Sequence, residues 1–207
     1  MIVFDNNDIR VCALVATSGS TLSRKAIDAG KSTLLREALP QFSDAEIGHL
    51  PSGAPVICGA NTVATLSVSH SRTTLLLAVN RSGHPIGVDT ETTDRTRQLL
   101  HVAPRFLSPA QQCWAVDPGL LLRAWTIKEA LYKAAAIAGW PLTEIPLPQL
   151  PNKSDMSDSS DLSDVSDVSE KSPLTFQPVD TPAGTFAILP IPTPPAAGLS
   201  TLAVRIP

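Results

Sequence analysis

The sequence predicts an α+β protein in which short antiparallel strands pack with a few longer helices. Short apolar runs rich in β-branched residues recur between turn-forming residues, and two longer stretches carry apolar residues at helical spacing. The chain has 207 residues, of which 43% are hydrophobic and 17% are charged. A chain of this length and composition can bury a sizeable core.

The N-terminal residues predict a hairpin followed by a helical stretch. The apolar runs at 2–4 and 9–16 flank a turn-forming Asp-Asn-Asn-Asp segment, which is typical of a β-hairpin. Leucines and alanines recur at helical spacing over 21–39. Because glycine is a poor helix former, we expect Gly30 to divide this stretch into two helices.

Residues 55–91 predict an antiparallel meander, because four apolar runs (VIC, TLSVS, TTLLLAV and PIGVDTE) are separated by Gly, Asn and Ser. The pattern then becomes helical, with helices expected at 94–102, 108–117 and 119–138. The closing residues 173–207 contain further strand-like runs between prolines. We expect these runs to return to the sheet.

Residues 154–172 repeat Ser-Asp units and contain too little apolar material to form a core. They are predicted to be a disordered surface insertion.

The net charge of the whole chain is −3, from 16 basic and 19 acidic residues. A chain with this charge lacks the excess of basic residues that is typical of nucleic-acid-binding proteins.

Cysteine content and hydropathy indicate the compartment. Three widely spaced cysteines without a Cys-x-x-Cys pair do not encode a disulfide framework or a zinc ribbon, which favours a reducing compartment. No apolar run approaches the roughly 20 residues that span a bilayer, and the first residues lack the basic region of a signal peptide. We therefore expect a cytoplasmic protein that does not bind membranes.

Three carboxylates stand where they could share a ligand. Asp89 and Glu91 lie two apart in a predicted strand, so they project from one face, and Glu129 shares a helix face with Trp125 and Lys133. Carboxylate oxygens without a matching His or Cys cluster suit Mg²⁺ or Mn²⁺, whose remaining ligands come from phosphates. The alternative is a solvated strand end beside an ordinary helical Glu–Lys pair.

Ser69 and His70 end a predicted strand and could contact phosphate through their side chains. No acidic residue adjoins His70 to orient it as a base, so a catalytic triad is not implied. A surface or structural role is the alternative. The segment Gly30-Lys31-Ser32-Thr33 is not a phosphate loop, since Lys25 stands where the motif requires glycine.

Four segments, in this order and spacing, resemble the 4′-phosphopantetheinyl transferase superfamily: SVSHS at 67–71, IGVDTE at 86–91, RFLSPAQQ at 105–112 and WTIKEALYKA at 125–134. Short members of this family are single units that trimerise, whereas surfactin-type members join two units in one chain. The length of this chain resembles the second type. The resemblance thus implies a monomeric pseudo-dimer of two similar α+β halves, each with antiparallel strands and a long helix.

The halves are expected at 1–88 and 89–207, with 119–138 as the catalytic helix. The resemblance implies a holo-[acyl-carrier-protein] synthase type enzyme, which transfers the 4′-phosphopantetheine group of coenzyme A to a serine of an apo acyl or peptidyl carrier protein. Adenosine 3′,5′-bisphosphate would be released. The carrier could belong to fatty-acid, polyketide or nonribosomal peptide synthesis.

Residue roles also follow from the resemblance. Carboxylates would hold Mg²⁺ against the pyrophosphate, basic and hydroxyl side chains would bind the coenzyme, and Glu129 or Glu91 would accept the proton of the serine. The metal ligands would be Asp89, Glu91 and Glu129; the catalytic residues Glu129, Lys133 and Glu91; and the coenzyme-binding residues Ser69, His70, Lys128, Lys133, Arg24 and Lys31.

Two departures from the family pattern keep other functions open. Gln111 stands where the family has glutamate, and Ala54 replaces the lysine of a Gly-Lys-Pro segment. A catalytically impaired, coenzyme A-binding homologue with a regulatory role is therefore the first alternative. An unrelated magnesium-dependent phosphohydrolase is the second.

Overall fold

A computed structural model describes residues 1–150, 176–192 and 198–206, and the predicted insertion at 154–172 lies outside them. Ten strands and three α-helices form within these described residues. The strands are β1 (Ile2–Asp5), β2 (Ile9–Val15), β3 (Glu46–His49), β4 (Pro55–Cys58), β5 (Thr65–His70), β6 (Thr74–Asn80), β7 (Ile86–Glu91), β8 (Val179–Thr181), β9 (Gly184–Pro190) and β10 (Leu199–Arg205). The helices are α1 (Arg24–Ala38), α2 (Thr96–Phe106) and α3 (Pro118–Ala135), with 3-10 segments at Thr93–Arg95, Pro109–Ala115 and Leu142–Glu144.

Two four-stranded antiparallel sheets carry the fold, which confirms the α+β class. The first sheet has the order β1-β2-β6-β5 and the second β7-β10-β9-β8, while β3 and β4 form a separate hairpin. Strands β5 and β7 are edge strands that contact each other, and the backbone N–H of Val88 donates to Ser67 Oγ at 3.1 Å. The two sheets therefore meet along these edges.

Side chains alternate between two faces along the strands and so build a layered core. In β2, Val11 and Ala13 pack between the sheets, whereas Cys12 packs with the leucines of α1. In β10, Leu202 lies between the sheets and Ala203 packs with α3. The layers thus run in the order α1, first sheet, second sheet, α3.

The two halves repeat one connectivity. In each half a strand leads to a long helix and then to two strands, the last of which pairs with the first: β2, α1, β5, β6 and then β7, α3, β9, β10. This repetition is compatible with the pseudo-dimer, which stays a prediction. The boundary expected at residue 88 falls inside β7, and this strand pairs along its length with β10. We use "first half" for β1–β6 with α1, and "second half" for β7–β10 with α2 and α3.

The expectation that Gly30 breaks the first helical stretch is wrong, because α1 is continuous across it. Gly30 is buried, and a Cβ added there would approach the side chains of Leu14 and Leu75 to 2.8 Å. This glycine therefore allows close packing of helix on sheet. Long-range packing compensates for its poor helix propensity.

The predicted meander over 55–91 is also wrong in part. Strands β5 and β6 pair as expected, but β4 pairs with β3, and β7 pairs with β10 from the far end of the chain. The helix expected at 119–138 ends at Ala135, because Ala136 adopts the left-handed conformation (φ 52°) that closes helices. Among the described residues, no helix is both long and apolar enough to cross a bilayer.

Candidate active site

Close packing of α3 on β7 brings the predicted carboxylates together. A Cβ at Gly87 would collide with the backbone carbonyl of Ala130, so only glycine permits this approach. Two and four residues further along β7, Asp89 and Glu91 project from the same strand face as Gly87. They consequently face the part of α3 that carries Glu129 and Lys133.

Asp89 is the best-connected of these carboxylates. It is 5% exposed, and its Oδ1 accepts hydrogen bonds from Lys133 Nζ and Ser69 Oγ, both at 2.8 Å. Lys133 Nζ also donates to the Val88 carbonyl at 3.0 Å. The second oxygen, Oδ2, is buried and has no hydrogen-bond partner. An unpartnered buried carboxylate oxygen is a ready acceptor for a cation or a proton donor.

Glu91 is held by a basic residue that the sequence analysis did not single out. Its Oε1 accepts a hydrogen bond from Arg95 Nη1. Burial raises the pKa of Glu91, and the charge of Asp89 raises it further, whereas Arg95 and a hydrogen bond with Trp125 oppose the shift. Trp125 therefore contacts the site as well as packing edge-on against Phe106 beneath it.

Glu129 completes the cluster on the α3 side. Burial raises the pKa of its carboxyl group and so does the charge of Asp89, while Lys133 and then Arg95 lower it. Glu129 lies one helical turn before Lys133 in α3, and Lys133 contacts Asp89, so Glu129 lies on the face of α3 that is directed at β7. We call the three acids Asp89, Glu91 and Glu129 the carboxylate cluster.

The donors of the carboxylate cluster suit a hard divalent cation, because all are oxygens and Asp89 Oδ2 is free. In the described part of the chain, however, no three His, Cys, Asp or Glu side chains are arranged to hold one ion. Lys133 and Arg95 instead neutralise Asp89 and Glu91. A bound cation would have to share or replace these contacts.

A cavity of about 340 Å³ adjoins the carboxylate cluster and lies between the two halves. The first half contributes residues at the start of α1, the end of β5 and the turn after β5, and the second half contributes the last residue of β7 and residues that follow it. The lining residues are Leu22, Ile27, His70, Ser71, Arg72, Glu91, Thr92 and Arg95. His70 thus lies beside the carboxylates, as Ser69 does through its bond to Asp89.

Three predicted coenzyme-binding residues lie elsewhere. Lys128 is fully buried and donates to the carbonyls of Leu142 and Ile145, so its ammonium group does not reach the cavity. Its burial lowers its pKa to about 7. Lys31 lines a different cavity, of about 620 Å³, and pairs with Asp28 at 3.3 Å. Arg24 is exposed at the start of α1 and lines neither of these two cavities.

The two departures from the family pattern lie away from the cavity, and Gln111 has a structural role. Gln111 caps the 3-10 segment that follows Ser108, accepting from the Ser108 N–H at 3.1 Å, and donates to the Ile145 carbonyl at 3.0 Å. Ala54 lies in a turn closed by a hydrogen bond from the Leu50 N–H to its carbonyl, at 2.9 Å. Neither residue lines the cavity between the halves.

The sequence analysis missed Arg72 and Arg95. Arg72 directly follows the Ser-His-Ser segment, and Arg95 stands four residues after Glu91, so both signals were present in the sequence. Single arginines are common on surfaces, however, and only the contact between the halves reveals that these two line one cavity.

Comparison with known proteins agrees with this geometry. Residues 85–153 match the family model described as the 4′-phosphopantetheinyl transferase superfamily, a segment that contains β7, α2, α3 and all three acids of the carboxylate cluster. No curated protein matches the chain significantly. The match supports a transferase and confirms the family inferred from the motifs. Residues 85–153 of this chain are therefore similar to the 4′-phosphopantetheinyl transferase superfamily.

Proposed function

We propose that this chain transfers the 4′-phosphopantetheine group of coenzyme A to a serine of an apo acyl or peptidyl carrier protein. The observation that carries the proposal is Asp89. Its buried carboxylate is fixed by Lys133 and Ser69, one from each half, and keeps one oxygen free beside Glu91 and Glu129. With a divalent cation bound to these carboxylates, such an arrangement could neutralise and orient a pyrophosphate.

In the reaction, the hydroxyl oxygen of the carrier serine attacks the phosphorus that bears the pantetheine arm. The bond from this phosphorus to the bridging oxygen breaks, and adenosine 3′,5′-bisphosphate leaves with that oxygen. Glu129 or Glu91 accepts the serine proton. Lys133 would contact the pyrophosphate, while Ser69 and His70 contact the nucleotide portion.

Asp89, Glu91 and Glu129 are the residues that would hold Mg²⁺ or Mn²⁺. When bound, the ion would offset negative charge on the pyrophosphate and stabilise the leaving group. Lys133 already offsets the charge of Asp89. We therefore propose that Lys133 turns from Asp89 toward phosphate when the ligands bind.

The exposed face of α2 supports a carrier protein as the partner. Arg97, His101 and Arg105 recur every four residues on this face, Leu100 beside them is 49% exposed, and α2 has no acidic residue. Carrier proteins are typically acidic, so this face is complementary in charge. Because α2 follows the carboxylate cluster by only a short turn, a carrier bound there would lie near the site. We further propose that the chain acts as a cytoplasmic monomer.

A catalytically impaired, coenzyme A-binding homologue is the second candidate. The observation that favours it is the pairing of Asp89 with Lys133 and of Glu91 with Arg95, which leaves no ready ligand set for a metal among the described residues. This homologue would bind coenzyme A without transferring its arm.

The test is intact-protein mass spectrometry of several apo carrier proteins after incubation with the chain, coenzyme A and Mg²⁺. The transferase predicts a mass increase of one phosphopantetheine arm on a carrier, lost on addition of a chelator. Coenzyme A binding without a mass increase on any carrier would favour the impaired homologue. Turnover of small phosphate esters without coenzyme A binding would favour the phosphohydrolase.

A further inference from the structure

Two arginines line the cavity between the halves. Arg72 comes from the turn between β5 and β6, and Arg95 comes from the 3-10 segment after β7. His70 and Ser71 stand beside Arg72 in the lining. Guanidinium groups bind phosphate through paired N–H donors, and a cavity of about 340 Å³ holds a phosphate-bearing fragment of a larger ligand.

Both arginines are paired with carboxylates of the second half. Arg72 Nη1 donates to Asp94 Oδ2 at 2.7 Å, and Arg95 Nη1 donates to Glu91 Oε1. The side chains of Arg72 and Asp94 are 66% and 56% exposed, and Arg95 is 40% exposed. Exposed ion pairs contribute little to stability, so a ligand with a higher negative charge can replace Asp94 as the partner of Arg72. The Glu91 side chain is only 11% exposed and keeps its pair, but a guanidinium group has five N–H donors, so Arg95 can bind a ligand as well.

We propose that Arg72 and Arg95 form a phosphate-binding subsite, in which phosphate groups of the ligand replace Asp94 as the partner of Arg72 and bind the N–H donors of Arg95 that Glu91 does not use. This inference rests on the proposed function for the identity of the ligand, which is the adenosine bisphosphate part of coenzyme A.

Exchange of Asp94 for phosphate at Arg72 predicts an effect that simple charge attraction between arginine and phosphate does not predict. Asp94 competes with the ligand for Arg72, so removal of its charge should strengthen phosphate binding. Asp94 also accepts a hydrogen bond from Thr92 Oγ1, and asparagine retains an oxygen for this contact. Asp94→Asn is therefore the variant that separates exchange from a passive surface charge.

The test is calorimetric titration of the full chain with adenosine 3′,5′-bisphosphate in buffer containing a chelator and no divalent metal. Arg72→Ala and Arg95→Ala should each weaken binding about tenfold, because each removes charge-assisted hydrogen bonds. Asp94→Asn should strengthen binding about threefold. Arg36→Ala removes an exposed arginine of α1 outside this cavity and should leave the affinity unchanged.

Absence of binding to the wild-type chain, or wild-type affinity in both Arg72→Ala and Arg95→Ala, would overturn the subsite. Unchanged or weaker binding in Asp94→Asn would overturn the exchange. The proposed function is tested separately. It would be contradicted, and the subsite would not, if adenosine 3′,5′-bisphosphate binds as expected but no carrier protein gains mass. Conversely, a carrier that gains mass while both arginine variants bind normally refutes only the subsite.

Discussion

The two halves of this protein each pack a long helix on a four-stranded sheet, yet only one of them carries the carboxylate cluster. Helix α1 buries Gly30, two leucines and an alanine, all apolar. Helix α3 buries Thr126 and Lys128 among its apolar residues and directs Glu129 and Lys133 toward β7. Similar layers can therefore serve packing in one half and chemistry in the other.

The position of the glycine explains part of this difference. In the first half the glycine is Gly30 of the helix α1, and in the second half it is Gly87 of the strand β7. A Cβ at Gly30 would meet the ends of two leucine side chains, whereas a Cβ at Gly87 would meet the backbone of α3. Side chains can move aside, but a helix backbone can yield only by moving away from the sheet, which would separate the carboxylate cluster.

The largest effect is expected from the alanine variants of these glycines. Gly87→Ala should prevent α3 from docking and lower the free energy of unfolding by several kcal/mol, about 3 or more. Gly30→Ala should cost less than about 2 kcal/mol, because better helix propensity offsets part of the crowding. Urea unfolding of both variants measures the difference. Equal losses would contradict the account of close packing at β7.

The next largest effect concerns catalysis. Asp89→Asn removes the charge that pairs with Lys133 while keeping the shape, and should lower the rate of phosphopantetheine transfer about 100-fold or more. Its melting temperature should change little. Asp8→Asn, an exposed acid of the first half, is the matched control and should transfer at the wild-type rate. Comparable activity in both variants would remove Asp89 from the site.

A smaller effect is expected on recognition of the carrier. Charge reversal at exposed positions of α2, in Arg97→Glu and Arg105→Glu, should raise KM for the carrier about tenfold and reduce its dependence on salt. The KM for coenzyme A should not change. If both KM values stay at wild-type levels, the carrier binds another face.

The smallest effect is a pH dependence of stability that originates in α3. Burial lowers the pKa of Lys128 to about 7, whereas the same lysine in the unfolded chain titrates near 10.5. Between these values the unfolded state binds more protons, so stability rises with pH. The free energy of unfolding should increase by about 1 to 2 kcal/mol between roughly pH 7.5 and pH 9.

Lys128→Met should flatten this increase, as measured by urea unfolding across the same range. The measured range stops at pH 9 because ionisation of a second group, the Cys12 thiol, affects stability above this pH. Burial raises the pKa of Cys12 from 9.0 to about 11, so the folded thiol keeps its proton longer and stability falls above pH 9. An equally steep rise in Lys128→Met would show that another group is responsible.

Local patterns in the sequence predicted most elements and the carboxylates. Asp89 and Glu91 were paired by strand alternation, and Glu129 with Lys133 by helical spacing, because both are short-range geometric rules. The family motifs then linked the strand to the helix. These predictions depend on residues close in sequence.

Long-range contacts could not be predicted in the same way. The pairing of β7 with β10 joins residues more than a hundred positions apart, and hydrophobic alternation does not specify a partner strand. Lys128 was expected at the coenzyme because it lies in the family motif at 125–134, but it adjoins Glu129, and adjacent helical residues point in different directions. Its burial against the Leu142 and Ile145 carbonyls depends on the conformation of a turn that local sequence patterns do not predict.

The most direct test of the central claim is a titration of Mn²⁺ into the full chain with coenzyme A present, with free Mn²⁺ followed by electron paramagnetic resonance. If Asp89, Glu91 and Glu129 act together, the wild-type chain should bind one ion, and Asp89→Asn and Glu129→Gln should each weaken its binding at least about tenfold. Asp8→Asn should bind as the wild type does. Wild-type Mn²⁺ affinity in both Asp89→Asn and Glu129→Gln would contradict the carboxylate cluster as the metal-binding centre.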